Sequence, residues 1–261
     1  MRAAHAKAAA IALLLVIAGA RSASAQRPAP ARTVSAAQDR FRISVNGGVQ
    51  VSSSSFDTSA TKVVYIENAV IGTSYSIRRG VDIDGGVSVR LVGGFGVAVA
   101  VSSATSKRDA DVSAAIPNPF FFKTPRTITG VAPGEQRSEL VTHVDGVYTL
   151  HPARKVDVAL SAGPSFFHVR QDVVTDVSFV DTYPFDAPVF TAATSQRVTA
   201  TNAVGFNAGA DVGLKLARHA GLGASVRFSK ASVTLTMPNS TNTTAMDVGG
   251  TQLAGGVRLW F

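Results

Sequence analysis

The sequence predicts an all-β fold, an eight-stranded antiparallel up-and-down transmembrane β-barrel. Three observations carry this. From residue 41 onward, apolar residues recur at period two, with Val, Ile, Phe and Gly heavily used and little helical spacing. The connections between the alternating runs are short and long in turn. The face opposite the apolar stripe carries acids and bases in near balance.

Run one, 41–54, sets Phe41, Ile43, Val45, Val49 and Val51 on one side and Arg42, Ser44, Asn46 and Gln50 on the other. Run two, 81–91, sets Val81, Ile83, Val87, Val89 and Leu91 against Asp82, Asp84, Ser88 and Arg90. Run three, 95–106, opposes Phe95, Val97, Val99 and Val101 to small residues. Run four, 138–150, sets Leu140, Val144, Tyr148 and Leu150 against Glu139, His143 and Asp145. Run five, 156–168, sets Val156, Val158, Leu160 and Phe166 against Asp157, Ser161 and Ser165.

Run six, 200–216, is the cleanest, with Val204 to Leu216 at alternate positions opposite Asn207, Asp211 and Lys215. Run seven, 221–236, begins with Leu222, Ala224, Val226 and Phe228 opposite Ser225, Arg227 and Ser229. Its apolar phase then moves to Ala231, Val233 and Leu235, which predicts a bulge. Run eight, 248–261, sets Leu253, Val257, Leu259 and Phe261 against Ala254, Gly256, Arg258 and Trp260.

Short connections fall at 92–94, 151–155 and around Arg218-His219, and long ones at 55–80, 107–137, 169–199 and 237–247. Short turns at one end and long loops at the other are the asymmetry of a barrel with both termini in the periplasm. Every run meets the roughly 9–11 residues that a spanning strand needs. An even count lets the last strand close on the first, as lipid requires.

The lumen face is expected to hold Arg42, Asp82, Asp84, Arg90, Glu139, His143, Asp145, Asp157, Asp211, Lys215, Arg227 and Arg258 as an ion-pair network. An eight-stranded interior is only wide enough to be filled by side chains, so its charges must be paired. Arg227 and Arg258 are expected to point inward, toward acids such as Asp82, Asp84, Asp157 or Asp211.

The N-terminus predicts export. Arg2 and Lys7 precede an apolar run at 8–20, and Ala23-Ser24-Ala25 is a small-residue cleavage site. Residues 1–25 read as a signal peptide, 26–40 as a disordered periplasmic lead-in rich in Pro and Ala, and 41–261 as the barrel. Removal of Arg2, Lys7 and Arg21 lowers the formal charge from +8 to about +5, with the bases scattered rather than clustered. That does not favour nucleic acid as a partner. The chain has 0 Cys, so disulfides and cysteine metal sites are excluded.

The alternating strands, together with GGVSVRLVGGFGV, IPNPFFF, GPSFFHVRQDVV, TYPFD, GFNAGADVGL and GGVRLWF, resemble uncharacterised bacterial outer-membrane barrels of the OmpA/OmpX-like class. The resemblance covers most of 41–261. It implies a Gram-negative outer membrane, outer-membrane lipid as surroundings and the barrel-assembly machinery as a partner. It also implies that Phe261, with Leu259 and Val257, forms the terminal signal read by that machinery. It supplies no catalytic residue, no cofactor and no metal. A monomer is expected.

Candidate chemistry is sparse. Some barrels of this size modify outer-leaflet lipid, with a His and a Ser together near the outer rim. His168, in SFFHVR, is the one catalytic candidate by position, and no His-x-Ser motif accompanies it. His143 lies between Glu139 and Asp145, as a proton shuttle or as a lumen residue paired with its neighbours. Gly93, Gly94 and Gly96 read as a tight turn, since no helix follows. Asn239 and Asn242 read as a polar loop. Phe120, Phe121 and Phe122 form an aromatic cluster in a long loop, either a binding surface or part of the aromatic girdle at the rim. Tyr183, Phe185 and Phe190 admit the same two readings and are expected at the same end.

The leading functional expectation is a small barrel with a filled, salt-bridged lumen and a structural or surface-interaction role through four outer loops. The alternatives are an enzyme acting on lipid A and a narrow, porin-like channel for small solutes. A soluble lipocalin-like barrel is the rival fold.

Overall fold

The computed structural model describes residues 39–238 and 243–261. The signal peptide and all but the last residues of the lead-in lie outside them. Eight strands follow one another: β1 (Phe41–Val64), β2 (Glu67–Val92), β3 (Phe95–Ile116), β4 (Arg126–Ala153), β5 (Val156–Val180), β6 (Val189–Lys215), β7 (Ala220–Thr236) and β8 (Thr243–Trp260). Each pairs antiparallel with the next, and β1 pairs with β8, so the sheet closes. Closure runs from Arg42↔Trp260 to Val51↔Thr251.

The lower half is the inside-out barrel that the alternation predicts. Phe41, Val45, Ile83, Val99, Val144, Leu160, Phe206, Leu222 and Val257 are exposed on its outer face. Asp82, Asp84, His143, Asp145, Asp157 and Arg258 are buried within. An exposed apolar ring around a charged interior is stable only if the ring faces hydrocarbon. The chain is therefore a membrane-spanning barrel of the outer-membrane type.

The three long connections expected at 55–80, 107–137 and 169–199 are largely strand. β1 and β2 run on to a two-residue turn at Tyr65-Ile66. β3, β4, β5 and β6 likewise extend, leaving 117–125 and 181–188 as the connections. The fourth connection is 237–242, partly outside the described residues. These extensions keep period two but reverse its polarity. In β2, Ala69, Ile71, Thr73, Tyr75 and Ile77 are buried and Ser74, Ser76 and Arg78 are exposed. Above the lipid the wall stands in water, so its apolar residues turn inward as in a soluble barrel. They form a core that includes Phe56, Ile71, Val112, Ile116, Ile128, Phe167, Val174, Leu235 and Met246.

The bulge expected in run seven is absent. β7 pairs with β8 without a register break from Ala220↔Leu259 to Thr236↔Thr243. Odd residues from Ser229 onward face inward and even ones outward, unbroken. The pleat does not slip; the apolar residues change sides, from Phe228 outside to Ala231 inside.

Beyond Val51↔Thr251 and Phe206↔Lys230, the described residues show no ladder from β1 to β8 or from β6 to β7. There the β7–β8 hairpin packs through side chains, with Val233, Leu235, Met246 and Val248 buried in the core.

Within that core Tyr75 stacks on Phe56, with ring centroids 4.6 Å apart. Its hydroxyl accepts a hydrogen bond from the Val174 N–H at 2.7 Å. Burial pushes that hydroxyl up to about 12, so it stays protonated over the working pH range. Tyr75→Phe leaves the buried Val174 N–H without its partner. It is expected to cost about 1–3 kcal/mol, read from chemical unfolding in detergent.

Candidate functional site

Two polar assemblies are built on this frame, one inside the spanning half and one at the outer tips. The inner one begins at the end that carries the short turns. Asp211 accepts from Arg42 Nη1 at 3.1 Å and from Arg258 Nη2 at 2.5 Å. Arg258 is fully buried and also donates to Asn46 Oδ1. Lys215 Nζ is 2.7 Å from Asp39 and 3.6 Å from Asp157, and lies over the Trp260 ring. Arg90 Nη2 is 3.0 Å from His151 Nε2, which is 3.5 Å from Asp157.

One layer up, Arg227 Nη1 is 2.7 Å from Asp84 Oδ2, and Asn46 Nδ2 donates to Asp84 Oδ1 at 2.7 Å. His143 does not pair with Glu139 or Asp145, the partners that the sequence offered it. Its ring nitrogens lie 3.1 Å from Ser102 Oγ and 2.8 Å from Ser165 Oγ. Adjacent residues on a strand point to opposite faces, but residues two apart stack along the barrel wall, so opposing strands reach the imidazole first. Asp145 instead accepts from Asn207 Nδ2 at 2.8 Å.

The top layer is Glu139. It accepts from Arg137 Nε at 2.7 Å, from Gln50 Nε2 at 3.1 Å and from the Gly249 N–H at 3.1 Å. Both Arg137 and Glu139 are only 4% exposed. The interior cavities below it measure about 30 and 50 Å³, room for water and little else.

Asp82 is the exception. Its Oδ2 has no hydrogen-bond partner among the described residues, and Oδ1 meets only Gln252 Nε2 at 3.4 Å. A buried carboxylate without a base is destabilising. Asp82→Asn is expected to raise the unfolding free energy by about 1–3 kcal/mol, read from chemical unfolding in detergent.

Sequence reasoning placed Arg137 in a loop and did not name Ser102 or Gln252; it put Asn46, Gln50, Ser165 and Asn207 on the polar face but not in the network. Their inward position on the alternation was the available signal.

The second assembly joins three hairpins at the outer end. Arg126 donates to Asp181 through Nη1 and Nη2, both at 2.7 Å. It also donates to the Phe185 carbonyl at 2.6 Å and the Pro117 carbonyl at 2.8 Å. The Asp181 hydrogen bonds hold the guanidinium above its ordinary value. Glu67 of β2 accepts from the Lys123 N–H at 3.0 Å, and Tyr65 OH donates to Asp181 at 3.4 Å. On this frame Phe120 meets Phe185 edge-on at 5.3 Å, and Phe185 meets Tyr183 at 6.2 Å.

The aromatic residues do not fold back to the membrane rim. Phe120, Phe121 and Phe122 are 66%, 66% and 72% exposed, beside Ile66 at 88%. Their hairpin ends roughly 35 Å along the strand from Thr105, too far to serve as a girdle. Among the described residues, every non-glycine residue with positive φ is at these tips: Tyr65, Ile66, Lys123 and Phe185. Left-handed backbone at non-glycine residues is costly and is retained where the surroundings over-determine it.

His168 faces outward beside Leu140, its cross-strand partner, near the top of the apolar belt. No hydrogen bond or ion pair to it is found among the described residues. Val257 and Phe261 are exposed at the β8 end and Leu259 is half-buried; the Phe261 N–H donates to the Phe41 carbonyl at 2.9 Å. No group of three or more metal-ligating side chains is found among the described residues.

The chain is a closed, membrane-spanning β-barrel of eight strands. Solved structures similar to it are outer-membrane barrels of low identity. Neisserial surface protein A is 11% identical, covering 85% of this chain and 97% of that one, with a TM-score of 0.43. The outer membrane protein OprG from Pseudomonas aeruginosa is 11% identical, covering 86% and 97%, at 0.44. The outer membrane protease OmpT from Escherichia coli is 9% identical, covering 88% and 99%, at 0.48. These likenesses carry no residue role or activity to this chain. No family model and no curated protein matches it.

Proposed function

We propose that this barrel is a surface-interaction protein, with a closed lumen that anchors a raised, ordered aromatic platform outside the cell. The observation that carries the reading is the clasp of Arg126 and Tyr65 on Asp181, which ties three hairpins together beneath exposed Phe120, Phe121, Phe122, Ile66 and Tyr183. Burying a guanidinium and a carboxylate to hold large apolar side chains in water is a net expense. It is offset if those side chains meet a partner.

The lumen supports the same reading over a channel. Among the described residues, three polar layers and the apolar core above them fill most of the interior, which favours a rigid anchor over a channel. For an enzyme acting on lipid His168 is the positional candidate, and among the described residues no hydroxyl or carboxylate is bonded to it. Orientation follows the strand asymmetry, with the platform outside and the 93–94, 154–155 and 216–219 turns inside.

The test uses single cysteines, to which the native chain adds no background. Phe121→Cys and Tyr183→Cys on intact cells should react with a membrane-impermeant maleimide. Gly93→Cys and Pro152→Cys should react only after lysis. The reverse pattern would invert the topology. Purified barrel in a planar bilayer should add no conductance steps; open-channel steps would favour the pore.

A further inference from the structure

A cluster of bases on the outer wall is not used by either assembly. β2 carries Arg78 and Arg79, and β3 carries Lys107 and Arg108, all exposed. The β2–β3 register shifts between Tyr75↔Ala110 and Val81↔Thr105, which sets five β2 residues against four on β3. Inward positions are odd up to Ile77 and even from Asp82 onward, so both arginines fall on the outer side of this bulge. Arg78 and Arg79 thus fall in the same unpaired stretch as Lys107 and Arg108 on the neighbouring strand, with the Lys107 stem running on over Gly134 of β4.

Like charges opposed across strands repel. No ion pair to any of the four is found among the described residues. Asp109 is adjacent, but its Oδ1 accepts from the Gly134 N–H at 2.8 Å. Asp57 and Asp111 face out higher up, both at the level of Ser74. Other rim bases differ: Arg197 has Asp172 at 2.8 Å and Lys230 has Asp247 at 3.0 Å. Arg170 on β5, level with Ser138 and Thr105, extends the positive sector on the same side.

The height of the cluster selects its counter-ion. Arg79 pairs across with Val51, the last apolar residue of the β1 belt, and Val81 and Val101 begin the lipid-facing surface just below. Anything filling this site rests its charge at headgroup level and its tails on the belt. We propose that Arg78, Arg79, Lys107 and Arg108 form a binding site for the phosphate-bearing headgroup of an outer-leaflet lipid. Planar guanidinium forks suit phosphate oxygens, and the bulge supplies two of them side by side. The site rests on the orientation proposed above, with the extended strands outside.

The test titrates the full-length mature barrel, refolded in neutral detergent, with bisphosphorylated lipid A, with its dephosphorylated form, and with inorganic phosphate. The phosphorylated lipid should bind in a salt-sensitive way and the dephosphorylated one at least tenfold more weakly. Each base removed should weaken binding about fivefold, the usual worth of one cation near an anionic surface. Arg78→Ala with Arg79→Ala should therefore lose roughly 25-fold. Lys107→Glu with Arg108→Glu should abolish binding while raising the unfolding midpoint, because opposed like charges become pairs. That second readout separates lost binding from misfolding. Equal affinity for both lipids, or unchanged affinity in either variant, would overturn the site. Competition by millimolar inorganic phosphate would reassign it to a free ion and overturn the lipid assignment. Failure of the wild-type protein to insert into bilayers would instead bring down the barrel reading itself.

Discussion

Arg137→Leu is expected to cost about 3–5 kcal/mol of unfolding free energy, because it leaves the Glu139 carboxylate buried without a base. Arg137 and Glu139 are the most enclosed ion pair of the lumen, and they seal its boundary with the apolar core. The loss should be recovered in large part by adding Glu139→Gln. The amide oxygen still accepts from the Gly249 N–H and from Gln50, while the stranded charge is gone. Denaturant unfolding of the refolded barrel in one detergent, at one pH, measures both. A double variant no better than the single one would mean that packing of the arginine stem, not charge, dominates at this layer.

The second large effect comes from outside the wall. Val144 is exposed at mid-belt on β4, and Thr129 is exposed on the same strand above the belt. Val144→Arg should destabilise the bilayer-inserted barrel by about 2–4 kcal/mol, the cost of a lipid-facing cation near the midplane. Thr129→Arg should change stability by no more than about 0.5 kcal/mol, as surface substitutions in water do. Similar losses at both positions would remove the contrast between the two halves of the wall.

That contrast also explains which parts of the structure the sequence disclosed. Runs one to eight were legible because lipid demands apolar residues at every second outward position. The inward residues beside them, such as Asp84 and Arg227, were legible as charges with nowhere else to go. The extensions were harder. In β2, Ile71 and Tyr75 alternate as regularly as Val81 and Ile83 do, but on the opposite face. In the sequence the stripe keeps odd parity through β2 and is interrupted by Arg78-Arg79-Gly80; the bulge there, which leaves no mark on the alternation, turns the upper residues inward. β7 records the change within a single unbroken ladder, at Phe228 to Ala231, and the slip in apolar phase reads as a bulge. The real bulge, at 75–81 of β2, is masked because polarity inversion and register shift coincide there. The partners of His143 and Arg126 were not legible for a different reason. They come from distant parts of the chain, and short-range context favours neighbours in sequence over neighbours in space.

The central claim is that one wall faces lipid below and water above, and β1 makes that change on a single outer face. Nitroxide labels on single cysteines along β1 test it most directly, since the chain contributes 0 Cys of its own. Labels at Ile43, Val45 and Val49 should collide with lipid-soluble oxygen and be shielded from a water-soluble nickel chelate. Labels at Ser55, Asp57 and Ser59 should show the reverse. Both sets are odd-numbered and share one outer face, so a switch from oxygen to nickel accessibility between Val51 and Ser55 is the expected result. Oxygen-dominated collisions continuing through Ser59 would contradict it, and so would nickel-dominated collisions already present at Val45.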